Sequence, residues 1–213
     1  MQYRIQKKRI VVSILAAVMV VSLQAQVGAI APMIRLSLDG GVVAPTDKEA
    51  AYWNPGFSIA PTALLFLNEN ALLGARFEYS VWTPNEDEVL DAVTDNIQGA
   101  SVEGLSSTWT IMPTFRLGSF RDFEFLNYYA QGGIGVYIRQ SDATVEGTLN
   151  NVDSEISVVE TNQSRLGAHL AAGLVLGNIE GFSVEIMPTY DVIFLQDRTA
   201  QDFGASVALS LAM

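Results

Sequence analysis

The sequence predicts an all-β protein: a closed, eight-stranded, antiparallel up-and-down transmembrane β-barrel, preceded by a cleavable signal peptide. Three observations support this prediction. Apolar residues alternate with small or charged residues at a period of two in most of the chain. The segments between these runs alternate between short and long. The mean hydropathy of +0.26 is high for a chain with 23 acidic residues, yet no apolar run after residue 23 reaches the length of a membrane helix.

Residues 1–25 have the parts of a secretory signal peptide. Basic residues come first: Arg4, Lys7, Lys8 and Arg9. The apolar stretch 10–23 follows, and as a helix it would span roughly 21 Å, short of the roughly 30 Å hydrocarbon core, so a permanent anchor is the weaker interpretation. Cleavage is expected after Ala25, or as late as Ala29, and residues 33–213 are expected to form the barrel.

The charge of the remaining chain excludes one class of function. Loss of the leader would leave eight basic residues against 23 acidic ones, a net charge of −15, with Lys48 as the only lysine. Nucleic-acid binding depends on clustered Lys and Arg, so no nucleic-acid partner is expected. The chain has no cysteine, which leaves neither a disulfide framework nor a lipid-modified cysteine.

Eight strands are expected along residues 33–213. In the run 73–82, Leu, Ala, Phe, Tyr and Val alternate with Gly, Arg, Glu, Ser and Trp. The other clear runs are 109–118, 166–176, 182–194 and 203–213, and the shorter ones are 33–43, 57–67 and 128–139. Because successive strand side chains point to opposite faces, each clear run has an uncharged apolar face and a face of small or charged residues.

The connections between the expected strands differ in length in a regular way. Residues 68–70 and 178–181 are short turns, whereas 44–56, 85–105 and 140–164 are expected to be long loops. In an up-and-down sheet the odd connections lie at one end and the even ones at the other. Outer-membrane barrels likewise place short turns on the periplasmic side and long loops outside.

The direction of the apolar faces separates two kinds of eight-stranded barrel. A secreted, lipocalin-like ligand-binding barrel also has a signal peptide, but it covers its exterior with charged residues. Here the polar faces hold mostly Gly, Ala, Ser and Thr, which suit a crowded interior. We therefore expect Phe77, Ile111 and Leu170 to face lipid, and Arg76 and Arg116 to lie inside. The lipocalin-like barrel remains the alternative.

Three stretches carry a resemblance to a known family: NYYAQGGIGVYI at 127–138, RLGAHLAAGLVLGNIEGFSVEIMPTYDVIF at 165–194, and the alternating last strand. They resemble the eight-stranded outer membrane protein β-barrel domains of the OmpA and OmpX type, which are porin-like barrels of Gram-negative bacteria. The resemblance implies a location in the cell outer membrane, contact with lipids and lipopolysaccharide, and insertion by the barrel assembly machinery. The family typically ends in an aromatic residue, and Met213 departs from that pattern.

Charged residues of both signs fall on the expected inward faces. They are Arg35, Asp39, Arg76, Glu78, Arg116, Arg139, His169, Glu185 and Asp191. A charge inside a narrow, low-dielectric lumen must be paired or hydrated, and the interior of an eight-stranded barrel is just wide enough for side chains to fill. These residues therefore predict a salt-bridged plug, with a narrow porin-like pore for small solutes as the alternative.

No catalytic residue, cofactor or metal site is expected. His169 is the only histidine, and no serine lies beside it on the same face. Acidic residues cluster instead in the two longest expected loops: Glu86, Asp87, Glu88, Asp91, Asp95 and Glu103 in the first, and Asp142, Glu146, Asp153, Glu155 and Glu160 in the second. Their spacing matches no calcium-binding loop. The expected function is structural or surface interaction, with these extracellular loops as the variable recognition part and a loop ligand left open.

Two further patterns, one helical and one aromatic, predict local structure. Val89, Leu90, Val93 and Ile97 recur at helical spacing and predict a short helix in the first long loop. Aromatic residues are expected to anchor the two membrane interfaces: Tyr52, Trp53, Trp82 and Phe194 at the long-loop end, and Phe120, Phe123, Phe125, Tyr128 and Phe182 at the short-turn end.

Proline recurs within three of the expected strands, at Pro61, Pro113 and Pro188. We expect a ring of outward prolines with a bulge or bend at each, because a closed barrel has no edge strand to accommodate the missing donor. The inward residues that follow are Thr62, Thr114 and Thr189, and they are expected to donate to unpaired carbonyls. The alternative is that these prolines are ordinary apolar residues, which recur because the hairpins share an ancestor.

Overall fold

The computed structural model describes residues 33–46, 48–93, 98–120, 126–149, 152–195 and 199–213. The expected signal peptide lies outside these residues, as do Asp95, Ile97, Phe123 and Phe125.

Eight strands form the molecule: β1 Ile34–Pro45, β2 Gly56–Asn68, β3 Ala71–Trp82, β4 Gln98–Gly118, β5 Leu126–Leu149, β6 Val152–Gly177, β7 Phe182–Phe194 and β8 Thr199–Ala212. A short 3-10 helix, Lys48–Ala51, follows β1, and the helix α1, Glu86–Val93, follows β3. Each strand pairs antiparallel with the next in sequence, and β1 pairs with β8. The fold is a closed eight-stranded antiparallel barrel, which confirms the predicted fold class.

The ends of the barrel chain are joined by backbone hydrogen bonds. Ile34 N donates to Met213 O, and Met213 N donates to Ile34 O, both at 2.9 Å. The β1–β8 ladder continues without a shift from Arg35 opposite Ala212 to Pro45 opposite Asp202. The barrel therefore has no free edge along this seam.

Apolar side chains face outward and the charged ones face inward, as the alternation predicts. Phe77, Ile111 and Leu170 are 38%, 54% and 59% exposed. Arg76 and Arg116 are 2% and 1% exposed. No helix in the described part of the chain is long and apolar enough to cross a bilayer.

The expected loop 140–164 is largely strand, and the last eight residues of the expected loop 85–105 belong to β4, so both loop expectations were wrong in part. β5 and β6 continue as a paired hairpin to Leu149 and Val152, and β4 begins at Gln98. β6 pairs with β7 only from Gly167 onward, so its first 15 residues extend past the barrel wall. At about 3.3 Å per residue they span roughly 50 Å along the strand. Alternation did not reveal this extension because only five of its 15 residues are apolar, namely Val152, Ile156, Val158, Val159 and Leu166.

The expected helix in the first long loop is present as α1, whose Val89 is buried against Val102 of β4 and Val145 of β5. The acidic residues of this region are therefore held on a folded projection. Glu86, Asp87, Glu88 and Asp91 belong to α1, whereas Glu103 lies on β4 and Asp142 on β5.

The three prolines point outward, but no bulge occurs at any of them. One of the two ladders at each proline skips two positions: between Ile59 and Thr62, between Ile111 and Thr114, and between Ile186 and Thr189. The register on either side of each gap is the same, so the expected bulge is absent, whereas the alternative of a local bend stays a prediction. Proline removes a donor from the ladder, while the neighbouring pairs keep the strands aligned. Thr114 Oγ1 is buried with no hydrogen-bond partner in the described structure, so its expected donation was also wrong.

Three of the expected interface aromatics lie inside the barrel instead. Trp53, Trp82 and Phe120 are at most 4% exposed. Tyr52, Tyr128, Phe182 and Phe194 are exposed, as expected of interface anchors. Trp82 shares its face with Arg76 and Glu78, so its inward direction follows from the alternation of β3.

Candidate functional site

The centre of the lumen contains a carboxylate held between two guanidinium groups. Glu185 of β7 accepts from Arg35 of β1, with Nη2 at 3.0 Å and Nε at 3.1 Å from Oε1. Its other oxygen, Oε2, lies 2.9 Å from Nη1 of Arg116 on β4. All three side chains are at most 1% exposed. These three residues are called the Glu185 triad below.

Neutral side chains complete the hydrogen bonding of this triad. Ser210 Oγ donates to Glu185 Oε1 at 2.5 Å, and Tyr129 OH donates to Oε2 at 2.7 Å. Arg35 also donates to Ser183 Oγ and, at 2.8 Å, to the carbonyl oxygen of Ile179. A buried ion pair is tolerated only when its remaining donors and acceptors are satisfied, and this arrangement meets that condition for Glu185.

A second triad has one guanidinium group between two carboxylates. Arg76 of β3 makes a two-pronged contact with Asp39 of β1, at 2.6 and 2.9 Å, and its Nη2 lies 2.8 Å from Glu78 Oε2. Ser80 Oγ donates to the other Glu78 oxygen at 3.0 Å. These residues, Asp39, Arg76 and Glu78, are called the Arg76 triad. It carries one formal negative charge, whereas the Glu185 triad carries one formal positive charge, so the two together are neutral.

His169 belongs to a third group on the inner face of β5, β6 and β7. His169 Nδ1 lies 3.0 Å from Asp191 Oδ1, and Tyr137 OH donates to the same oxygen at 2.5 Å. Gln131 Nε2 lies 3.4 Å from His169 Nε2, and its Oε1 accepts from Arg116 at 2.8 and 3.0 Å. Gln131 thus joins the histidine group to the Glu185 triad.

A cluster of buried apolar side chains lies in the lumen at the short-turn end. They are Leu64, Leu72, Phe120, Tyr129, Ala171, Val175, Ile179 and Met187. Ile179 comes from the turn between β6 and β7, and Phe120 follows the end of β4. Phe120 stacks on Tyr129, and the Arg116 guanidinium lies 3.9 Å from the Tyr129 ring centroid. This set is called the lower cap.

A smaller buried cluster lies at the long-loop end: Val43, Trp53, Trp82 and Ala143. Trp53 lies on the β1–β2 loop and forms an isolated antiparallel bridge with Pro84. Backbone hydrogen bonds of 2.9 Å on either side of this bridge join Asn54 to Thr83 and Asn85 to Tyr52. The Arg139 guanidinium lies 5.3 Å from the Trp82 ring centroid. This set is called the upper cap.

The nine charged residues singled out in the sequence are all buried in the lumen. Ion pairs join Arg35, Arg116 and Glu185 into one group and Asp39, Arg76 and Glu78 into another, with His169 and Asp191 as a pair. Arg139 lies against Trp82. In the part of the chain that the structure describes, no three His, Cys, Asp or Glu side chains are placed to hold a metal ion.

Sequence reasoning missed the tyrosines and serines of the network. Tyr129 and Tyr137 have the parity of Gln131 and Arg139 on β5, so alternation could have placed them in the lumen. Ser183 and Ser210 have the parity of inward residues on their strands, but serine at such a position gave no signal beyond small size.

Comparisons with known proteins agree on the fold. No protein-family model matches the chain, and no curated protein matches it. The crystal structure of Neisserial surface protein A matches at a TM-score of 0.51 and 13% identity, covering 84% of this chain and 96% of the other. The N-terminal barrel domain of Pseudomonas aeruginosa OprF matches at 0.41 and 14%, covering 83% and 97%.

Ail, the attachment invasion locus protein of Yersinia pestis, matches at a TM-score of 0.44 and 10% identity, covering 85% of this chain and all of the other. The matches also include an outer membrane enzyme, PagL, at 0.39 and 12%. Identity this low indicates fold alone. The chain has the eight-stranded barrel fold that outer-membrane proteins of Gram-negative bacteria use.

Proposed function

We propose that the mature protein is an integral barrel of the bacterial outer membrane with a structural or surface-interaction role, and that its lumen does not conduct. Residues 1–25 are its secretory leader in this proposal, and the barrel assembly machinery inserts the chain. One observation carries the proposal: an apolar outer wall surrounds a charge-paired interior that has a cluster of buried apolar side chains at each end.

The outer wall supports the membrane location. Large apolar residues are exposed on every strand of the barrel, for example Leu38, Ile59, Phe77 and Val207. Such a continuous apolar surface is unfavourable in water and suits acyl chains. A lipocalin-like barrel would show the reverse arrangement, with its apolar residues around an internal pocket. The lumen instead holds three ion-paired groups.

The two caps and the ion pairs argue against a pore. A solute entering from outside would meet the upper cap, where the Trp53–Pro84 bridge holds the β1–β2 loop over the mouth. It would then meet the two triads and the lower cap, whose Leu64, Leu72 and Val175 are fully buried. Opening this path would leave guanidinium and carboxylate groups without partners, at a cost of several kcal/mol for each group.

The proposed surface-interaction role depends on the projection, which consists of α1 and of the ends of β4, β5 and β6 that lie outside the barrel wall. It extends past the barrel wall, and α1 carries four acidic residues. Neisserial surface protein A, which shares the fold, is a surface protein by name. The projection is the part of this chain best placed to contact molecules outside the cell, whereas the lipid-facing wall is covered.

The single histidine of the chain is not placed to act on a substrate. The Tyr137, His169 and Asp191 side chains are at most 6% exposed and are bonded to one another. A nucleophile or general base needs access to its substrate, and the upper cap and the barrel wall deny it here.

Two measurements test the proposal. Fractionation with heat-modifiable gel mobility should place the protein in the outer membrane, with folded and boiled forms migrating differently. The folded protein in planar bilayers should give no current. Recovery in a detergent-free soluble fraction would refute the membrane location, and steady current altered by Arg76→Met or Glu78→Gln would show that the lumen conducts.

A further inference from the structure

One edge of the projection has no neighbouring strand in the described part of the chain. β6 pairs with β5 along its whole length but with β7 only from Gly167 onward, so residues 152–166 leave one side of their backbone unpaired. Of the described helices and strands, only β5 and β7 make extended contact with β6. The opposite edge of this sheet is β4, and α1 packs against it. Residues 152–166 are called the free edge of β6 below.

The sequence of the free edge lacks the usual protection against strand pairing. Exposed edges are normally guarded by lysine, by proline or by being very short, because their free N–H and C=O groups recruit another strand. Residues 152–166 contain neither lysine nor proline. A single bulge lies within the segment, at Val158, since Ala143 pairs with Val159 and Thr144 with Ser157. An unguarded edge of this length points to the addition of a further strand.

The prolines of the wall show which backbone groups of β6 face the free edge. Pro188 of β7 has no N–H, and the β6–β7 ladder is interrupted at Ala172, which lies opposite it. Ala172 therefore directs its backbone groups towards β7. The other even-numbered residues of this part of β6 do the same, because the groups alternate between the two sides of a strand. The bulge at Val158 shifts this alternation by one residue. The outward groups of the free edge belong to positions 153, 155, 157, 160, 162, 164 and 166.

We infer that the free edge pairs antiparallel with the free edge of a second copy of the chain, which is held in a facing membrane. The inference rests on the proposed outer-membrane location and gives the proposed surface interaction a specific partner. In a twofold-symmetric pair, position 153 comes opposite 164, position 155 opposite 162 and position 157 opposite 160, and each of these pairs occurs twice. All six positions direct their backbone groups outward, so both strands can form the ladder.

The sequence of the free edge is complementary to itself in this register. Its three acidic residues are Asp153, Glu155 and Glu160, and they come opposite Ser164, Asn162 and Ser157 of the second copy. Like charges directly opposite each other destabilise a strand pair, and this register has none. A slip of two residues towards the long-loop end would place Glu155 opposite Glu160. The acidic residues therefore disfavour that neighbouring register.

The direction of β6 selects a copy in a facing membrane. β6 runs from the long-loop end to the short-turn end of the barrel. Two copies in one membrane therefore run in the same direction, which does not allow an antiparallel ladder, whereas copies in facing membranes run in opposite directions. The free edge spans roughly 50 Å along the strand, or about 40 Å of height at a tilt near 40°. Full overlap would hold the two barrel mouths about that far apart.

The alternative occupant of the free edge is a strand of a foreign protein. Backbone hydrogen bonds alone accept any extended chain, so a foreign strand would not depend on the self-complementary register. A single pair of free edges is a small contact. Two facing membranes carry many copies, however, and simultaneous pairing raises the overall affinity far above that of one pair.

Adhesion between vesicles tests the inference. The protein is folded into preformed vesicles of phosphatidylcholine and phosphatidylglycerol, and vesicles with donor-labelled and acceptor-labelled lipids are mixed. Energy transfer between the labels and light scattering measure clustering. Wild-type vesicles should cluster with one another and not with protein-free vesicles. Electron cryo-microscopy should show a regular gap between the clustered membranes.

A proline variant removes donors from the free edge alone. Asn162→Pro combined with Ser164→Pro deletes two outward N–H groups from each copy and leaves the hydrogen bonds to β5 in place. Its clustering should fall to the level of protein-free vesicles, while α1 keeps its protection in amide hydrogen exchange. If α1 loses protection, the charge variants at position 162 decide the outcome.

Asn162→Asp and Asn162→Lys are a matched pair, because residue 162 comes opposite Glu155 of the second copy. At low salt, Asn162→Asp should reduce clustering several-fold and Asn162→Lys should not. A peptide with the sequence of residues 152–166 should inhibit wild-type clustering, and a scrambled peptide of the same composition should not.

Several results would overturn the inference: inserted wild-type protein without clustering, full clustering by the proline variant, or equal clustering by Asn162→Asp and Asn162→Lys. Equal inhibition by the scrambled peptide would also overturn it and would assign the free edge to foreign strands. Failure of the wild type to insert would instead refute the proposed membrane location, so the two failures are distinguishable.

Discussion

Arg35 and Glu185 meet across the closing seam of the barrel, with Arg35 Nη2 3.0 Å from Glu185 Oε1 and both side chains fully buried. They are 150 positions apart in sequence. β1 pairs with β8 and β8 with β7, so the contact exists only once the barrel has closed. Glu185 also pairs with Arg116, which makes this carboxylate the anion that two buried guanidinium groups share.

Glu185→Gln should destabilise the barrel strongly, because Arg35 and Arg116 would then face each other without an anion. Breaking a buried pair by removing one partner typically costs about 3–5 kcal/mol. Urea unfolding in lipid bilayers, followed by heat-modifiable mobility, measures the change. Glu88→Gln is the control, since Glu88 is exposed on α1 and the same change there should fall within about 0.5 kcal/mol. Equal effects of the two substitutions would contradict a structural role of the Glu185 triad.

The Arg76 triad predicts non-additive effects. Arg76→Met alone leaves Asp39 and Glu78 buried side by side, and should destabilise the barrel by several kcal/mol. The triple variant Arg76→Met, Asp39→Asn, Glu78→Gln removes the charges together. It should therefore be more stable than Arg76→Met by at least about 1 kcal/mol in the same unfolding assay. A triple variant less stable than the single one would show that the carboxylates have other partners of comparable strength.

Alternation identified the inward charges, and it could not identify their pairs. The parity of β1 and β7 placed Arg35 and Glu185 inside the barrel. Which inward side chains meet depends on the register between neighbouring strands, and these registers add up to an offset around the barrel. Nothing in a single strand contains that offset. The sequence therefore predicted the membership of the lumen and left the two triads to the structure.

The long hairpin escaped prediction for a different reason. A strand reads as alternating only while one face meets lipid and the other the interior. The residues of β6 before Gly167 lie outside the barrel wall, and Asn162, Gln163 and Ser164 among them are polar at successive positions. Trp53 was misplaced in a similar way, because its position on a loop gave no parity, and its burial comes from the bridge to Pro84.

Tryptophan fluorescence can test which face of the barrel wall contacts lipid. Trp109 is 40% exposed on the outer face of β4, against Tyr79 and Phe77, whereas Trp82 is 1% exposed in the upper cap. A variant with Trp53→Phe and Trp82→Phe retains only Trp109, and a second variant retains only Trp82. Brominated acyl chains should quench the fluorescence of the first variant several-fold more than that of the second. Fluorescence spectroscopy in bilayers of brominated phosphatidylcholine measures this. Stronger quenching of Trp82 would contradict the arrangement of the wall.

The projection should be separable from the barrel. Ala143 pairs with Val159 at the base of the outer hairpin, so an Asn-Gly turn can replace residues 144–158 while Ala143 keeps its place in the upper cap. The shortened protein should insert and retain heat-modifiable mobility, because the ladders of the wall lie below the cut. α1 should lose protection in amide hydrogen exchange, because Val145 no longer covers Val89.

Hydrogen exchange in the barrel strands is the internal control for that variant. Protection along β1 and β8 should be unchanged, since their ladder contacts neither α1 nor the outer hairpin. Loss of heat-modifiable mobility, or faster exchange at the β1–β8 seam, would show that the projection and the wall fold as one unit. Preserved protection of α1 would show that Val102 of β4 alone is enough to hold the helix.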